Sequence, residues 1–391
     1  MKKWFAIVLA VVMLLGLLGC NTGDNGGSQF KEFSIGYAEE DITPSDPVHL
    51  GSYQNAMERT STGVKDIFYA KTIAFTGTDG NTLLIIITDL SWGHMNQVSV
   101  LRAKIADEFG IPSENVLLGG THNHNGPEWM GEGFLQSKNQ SYFNGIWYPG
   151  VMESIRRALE DRSPAQMYIG ADETEGLTFV RRFIREDGKL TGSGNQASYV
   201  PSDSPIDRYE SEGDEEAQFL KIVREGKKDV LIAQWQCHGN LYGNTTDAGT
   251  DWIGPMRDKM EEELGCHVVY MNGAAGNMNP NTKGKFLKDY PHVSSCKTKG
   301  EMVADAFIEM VRSDNFFTSV QSGNVKVKQI NYSPIGLGIR AWEGEMNSVV
   351  IGNLGLVTFP VEMFAESGVE IKEGSPCDMT LLMGYSNGVC G

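Results

Sequence analysis

Basic residues are in short supply. The 391-residue chain carries 33 Lys+Arg against 50 Asp+Glu, a formal charge of −17. A nucleic-acid partner is therefore excluded, because tracking a phosphate backbone needs a basic face. Cysteine is also scarce, with 6 in all. Beyond Cys20 they are Cys237, Cys266, Cys296, Cys377 and Cys390, an odd set with no CxxC spacing, so a zinc ribbon is not indicated and no disulfide pairing can be assigned. Histidine is scarce too, with 7 in 391 residues. Low apolar content is what disorder requires, and here it is missing: 40% of residues are hydrophobic. Glycine, by contrast, is plentiful at 46 residues, which predicts many tight turns and close backbone approaches.

The amino terminus reads as an address. Lys2 and Lys3 precede the apolar run Trp4 to Leu18, which ends Leu17-Leu18-Gly19-Cys20. That run is shorter than the roughly 20 residues of a membrane-spanning helix and fits a secretory signal. The cysteine after Leu-Leu-Gly resembles a bacterial lipobox, with Cys20 as the lipidated first residue. Residues 1–19 are thus expected to be a lipoprotein signal peptide and 20–33 a flexible Gly/Asn/Ser-rich tether. The protein is expected outside the cytoplasm, in the cell envelope, held to a membrane surface by its lipidated N-terminus.

Beyond the tether, strands and helices alternate. Strands are predicted at 33–38, 72–76, 81–89, 116–119, 219–223, 230–235, 267–271 and 349–359. Helices are predicted at 96–109, 149–159 and 258–264, with a polar excursion over 188–214 and a tight glycine turn over 273–280. The pattern indicates an α/β (mixed layered) domain running from 34 to 391, with no internal repeat and no dividing linker.

Candidate chemistry gathers at strand ends. His122 and His124 follow a buried strand as an HxH pair, and on extended backbone their imidazoles share one side. His238 follows the strand 230–235, and Glu362 follows a third strand just after Pro360. His, His and Glu form the ligand set of a hydrolytic zinc site with one open position. His49, His94, His267 and His292 fall outside these motifs and read as structural or exposed.

These residues lie within a collinear set of motifs that resembles the neutral/alkaline non-lysosomal ceramidases. The set runs through Gly36-Tyr37-Ala38, Asp41-Ile42-Thr43-Pro44, Gly51-Ser52-Tyr53 and Gly63-Val64-Lys65-Asp66 to Tyr69-Ala70-Lys71 and the strand ending at Asp89. It continues with Thr121-His122-Asn123-His124-Asn125-Gly126-Pro127, similar to the family's THTHSGP segment, and with Cys237-His238 and Asp251-Trp252-Ile253-Gly254. Gly273 to Pro280, Pro360-Val361-Glu362 and Gly384-Tyr385-Ser386-Asn387 close it. The resemblance implies the catalytic-domain fold of that family, without the immunoglobulin-like domain of longer members. It also implies a zinc amidase that splits ceramide, or a ceramide-like lipid, into a fatty acid and a sphingoid base by metal-activated water. His122, His238 and Glu362 would then hold one Zn²⁺, His124 would shuttle a proton at the amide, and Arg182 would lie near the scissile group.

Two departures stand out. The family's GDVSP serine, proposed as a nucleophile, is replaced by Asn279, and its aspartate by Asn277. An amide side chain cannot form an acyl-enzyme, although it can donate a hydrogen bond to an oxyanion. The family's zinc-bound tyrosine corresponds to a position just past Gly391, so the segment is expected to stop short of its own metal site. Two alternatives therefore stay open: a metal hydrolase of a different amide, ester or phosphoester, and a non-catalytic surface lipoprotein that binds lipid or glycan.

Overall fold

The computed structural model describes residues 32–52, 59–91, 95–128, 139–191, 206–281, 293, 295–332, 335–336, 339–340 and 344–388. The signal segment, Cys20, His94, His292 and Cys390 lie outside the described residues. No described helix is long and apolar enough to cross a membrane. Cys237, Cys266, Cys296 and Cys377 are free thiols.

The principal strands of the architecture fall into three successive units of the same pattern. In the first, β1 (Ser34–Asp41), β2 (Tyr69–Thr76) and β3 (Thr82–Thr88) pair antiparallel, and helix α1 (Met95–Phe109) crosses over to β4 (Val116–Gly120), parallel to β3. In the second, β5 (Ser163–Glu173), β6 (Glu216–Arg224) and β7 (Val230–Trp235) repeat the antiparallel run, and α3 (Ile253–Leu264) leads to β8 (His267–Asn272), parallel to β7. Between these units lies α2 (Tyr148–Glu160). After α4 (Cys296–Arg312) and β9 (Thr318–Val320), the third unit runs β10 (Val325–Tyr332), β11 (Gly344–Ile351) and β12 (Leu354–Thr358). Its crossover helix α5 (Ala365–Glu373) ends in β13 (Met379–Met383), parallel to β12. The repeat is one of topology, which explains why no sequence periodicity announces it.

The first two units join edge to edge through Ser34–Pro164 and Ile35–Ser163, giving a nine-stranded sheet with β9 alongside β5. The third unit is a separate four-stranded sheet. Strand alternation builds the layers. Ile73, Phe75, Ile85, Leu117, Ile232 and Val269 point one way and meet Val349, Ile351, Leu356 and Leu381 of the smaller sheet. Their neighbours Leu84, Ile86 and Leu118 point the other way onto Leu101 and Ile105 of α1 and Val151 and Ile155 of α2. Leu231, Val268 and Tyr270 likewise meet Met256 and Met260 of α3 and Val303 and Phe307 of α4. Val357 and Leu382 face Ile371 of α5. The result is helix, sheet, sheet, helix. Because both faces of the central strands are covered, they read as unbroken apolar runs such as Leu83 to Ile87.

Local signals agree with these bounds. Pro149 sits in the first turn of α2, and the Ser295 hydroxyl caps α4 by accepting the Thr298 N–H at 3.1 Å. The predicted strand 349–359 is two strands, because a hairpin reverses the chain at Gly352-Asn353. Helix α3 begins at Ile253, five residues ahead of the predicted start at 258. The strands β5, β9, β10 and β13 and the helices α4 and α5 carry no counterpart among the predicted elements; β5 mixes Pro, Gln and Gly with its apolar positions and has no clean alternation.

Candidate metal centre

The carboxyl ends of the three parallel pairs converge. From β4 the chain delivers His122 and His124, from β7 His238, and from β12 Glu362. All three imidazoles are buried. Their ligand nitrogens lie within 4.8 Å of one another. His122 Nε2 stands 3.1 Å from His124 Nε2 and 3.6 Å from Glu362 Oε1, and His238 Nε2 stands 3.6 Å from Glu362 Oε2. Ligand atoms about 2.0–2.1 Å from a tetrahedral zinc would be about 3.4 Å apart, which these separations approximate.

The backbone decides which nitrogen faces inward. His122 Nδ1 is 3.2 Å from the Ser91 carbonyl, and His238 Nδ1 is 2.7 Å from that of Ala275 and 3.1 Å from that of Met278. A carbonyl only accepts, so Nδ1 carries the proton on both rings and each Nε2 presents its lone pair to the centre. His238 Nε2 is buried with no hydrogen-bond partner among the described residues. A metal would satisfy it. His122 adopts a left-handed backbone (φ +59°), and its ring stacks on Tyr385 at 3.7 Å between centroids.

Burial pushes His122 down to about 3, and burial together with the neighbouring positive charges lowers His124 and His238. For Glu362, burial opposes the charge, but His238, His122 and the Arg181 guanidinium outweigh it and hold the carboxyl well below its usual range. At neutral pH the centre thus offers neutral imidazoles and a charged carboxylate, the protonation state a divalent metal requires.

The arginine facing this centre is Arg181. Its Nη2 lies 3.6 Å from Glu362 Oε2 and donates to the Gly276 carbonyl at 2.6 Å. Arg182, the residue expected from sequence, turns the other way: it pairs with Glu210, and its guanidinium lies 5.0 Å from the centre of the Phe364 ring. Arg181 sits at a bend between the short strands Thr178–Val180 and Phe183–Arg185, and the two neighbouring guanidiniums find different partners, so one residue along the chain decides which charge faces the centre. Asn279 lies on the short strand Met278–Pro280, paired with Thr178–Val180, and its Oδ1 accepts from Asn240 at 3.3 Å. It adjoins Met278, whose carbonyl receives both the His238 N–H and Nδ1–H. Asn277 is structural: its amide spans Glu366 and the Ala365 N–H at the start of α5. Gly276 is a close-approach position, where an added Cβ would sit 2.4 Å from the Glu362 carbonyl oxygen.

Asp89, noted in the sequence as a strand-end carboxylate, stays clear of the centre; Arg257 of α3 grips both its oxygens at 2.7 Å. A second His/Glu group, Glu39, Glu261 and His267, is bridged by Lys71, whose Nζ lies 2.8 Å from each carboxylate. An ammonium thus already sits between the two carboxylates of that cluster.

A layered α/β chain whose strand ends bring buried histidines and a glutamate to one point has the donor set of a candidate metal centre. The model for "Neutral/alkaline non-lysosomal ceramidase, N-terminal" matches residues 33–331, so the chain belongs to that family. Neutral ceramidase B of Dictyostelium discoideum is 22% identical over 326 residues, which cover 74% of this chain and 42% of the relative. The chain thus spans less than half the length of that relative. The crystal structure of neutral ceramidase from Pseudomonas aeruginosa superposes with a TM-score of 0.71 at 17% identity, covering 92% of this chain and 68% of the other. A structure titled "Ceramidase complexed with C2" gives 0.72 at 16% identity, covering 92% and 69%. Those two likenesses establish the fold.

Proposed function

We propose that the chain is a zinc-dependent amidohydrolase that cleaves the N-acyl amide of ceramide, or a ceramide-like lipid, to a fatty acid and a sphingoid base. One observation carries this reading: His122, His124, His238 and Glu362 meet in a buried centre at strand ends, within a chain of the ceramidase family. His122, His238 and Glu362 would hold one Zn²⁺. When bound, it supplies Lewis acidity toward the amide carbonyl and toward water.

The chain's own groups do the rest. His124, neutral and beside His122, takes a proton on its imidazole as water adds to the carbonyl carbon. It returns that proton to the nitrogen as the C–N bond breaks, because an amine leaves readily only when protonated. Arg181 keeps Glu362 ionised and adds positive charge where the carbonyl oxygen becomes negative. Asn279 replaces the serine that could have formed an acyl intermediate, so its amide donates to the oxyanion and water is the nucleophile. Lipidation at Cys20 would hold the enzyme at a membrane, where such substrates reside; Cys20→Ala should release it from the membrane fraction.

The test is fatty-acid release from a ceramide by the purified chain. Chelation and His122→Ala should each abolish it, and activity that survives either would sink the proposal. Asn279 favours a second reading, in which the same centre cleaves another amide, an ester or a phosphoester. Turnover of such a compound with none of ceramide would select it.

A further inference from the structure

The three parallel pairs are tied together directly behind the centre, and one side chain links the loops that carry both histidines. Asn272, the last residue of β8, is buried at 1% exposure. Its Nδ2 donates to the Thr121 carbonyl at 3.2 Å and to the Cys237 carbonyl at 3.1 Å. Its Oδ1 accepts from the Cys237 N–H at 3.4 Å, and its backbone carbonyl accepts from the Gly384 N–H at 2.9 Å. Thr121 and Cys237 immediately precede His122 and His238, and Gly384 precedes the Tyr385 that stacks on His122. One residue therefore holds the peptides leading into the site from all three units.

The orientation of the amide is forced. Two carbonyls and one N–H can be satisfied together only with the NH₂ toward the carbonyls and the oxygen toward the N–H. The plane of the Thr121–His122 peptide also helps set the φ of His122, which is left-handed at +59°. That conformation is uncommon for a residue other than glycine and carries a cost that the surroundings must offset.

We propose that Asn272 is a positioning residue of the metal centre, fixing the separation of the His122 and His238 imidazoles by holding both preceding peptides on one amide. This rests on the metal reading above. Ligand distances must fall within about ±0.2 Å, so small shifts of either peptide weaken binding. Groups that orient ligands typically contribute 10–100-fold in metal affinity.

The experiment measures zinc affinity of the full chain by competition with a chromogenic chelator, together with the visible absorption of the Co²⁺-substituted protein. Wild type should bind about one equivalent. Asn272→Ala should bind about 10–100-fold more weakly, with altered cobalt bands. Val151→Ala, a buried truncation in α2, which packs on β1 and β2, controls for lost stability and should bind within about twofold of wild type. Asn272→Ala binding like wild type, or weakened no more than the control, overturns the inference. If Asn272→Ala does not fold, Asn272→Ser keeps one donor and takes its place. A serine variant that binds like wild type, or also fails to fold, assigns Asn272 to folding and overturns the positioning role. A wild-type chain that takes up no zinc would instead refute the metal reading itself.

Discussion

An Arg257→Met chain should fold yet lose several kilocalories of stability, because Asp89 would be left as a buried charge. The two guanidinium nitrogens each meet one Asp89 oxygen at 2.7 Å, with Asp89 at 0% and Arg257 at 3% exposure. Unit charges about 4 Å apart at an effective dielectric near 20 attract by about 4 kcal/mol. Breaking a buried pair from one side costs about 3–5 kcal/mol, which agrees. What Asp89 would retain is the Tyr69 N–H, 2.9 Å from its Oδ2. Unfolding entropy of about 2.1 cal/mol/K per residue, over a domain on the order of 350 residues, converts 4 kcal/mol into a fall in Tm of about 5 °C. Thermal unfolding followed by circular dichroism reads this directly. The double variant Asp89→Asn/Arg257→Met should recover part of the loss, giving a coupling of about 2 kcal/mol. A single variant melting within about 1 °C of wild type, or strictly additive effects, would refute the reasoning.

Three further outcomes are expected. Gly276→Ala places a methyl 2.4 Å from the Glu362 carbonyl oxygen and 2.8 Å from that of Met363. Zinc titration should show at least about tenfold weaker binding, because the Glu362 loop must move. Arg181→Met should lower the hydrolytic rate by about 100-fold, whereas Arg182→Met should change it less than about threefold; equal effects in steady-state assays would remove Arg181 from its role. Burial raises Asp251 to about 6. A raised carboxyl contributes stability that is fully present below its unfolded value near 3.9 and is lost as pH rises through 6. The stability of wild type relative to Asp251→Asn should therefore fall by up to about 3 kcal/mol between pH 4 and pH 7 in urea titrations, and a constant difference would count against the shift.

Much of this architecture was legible because buried strands advertise themselves. The strands Val116 to Gly120 and Val230 to Trp235 are buried along their whole length, and the histidines that follow them sit where strand ends usually present functional groups. The choice between Arg181 and Arg182 was not legible, since it depends on how the chain bends at Arg181 between two short strands. The groups that orient the imidazoles were also hidden, because the carbonyls of Ser91, Ala275 and Met278 have no side-chain signature. Asn272 looks like any polar residue closing a strand until the strands on either side are in place. The repeated unit escaped notice because element order recurs while residues do not.

Metal content tests most directly whether this centre is a metal site. The purified chain, dialysed against zinc and then against metal-free buffer, should retain about one zinc per chain by mass spectrometry. His238→Ala and His122→Ala should retain none. A wild-type chain without zinc after that treatment, or a full equivalent held by either variant, would contradict the account.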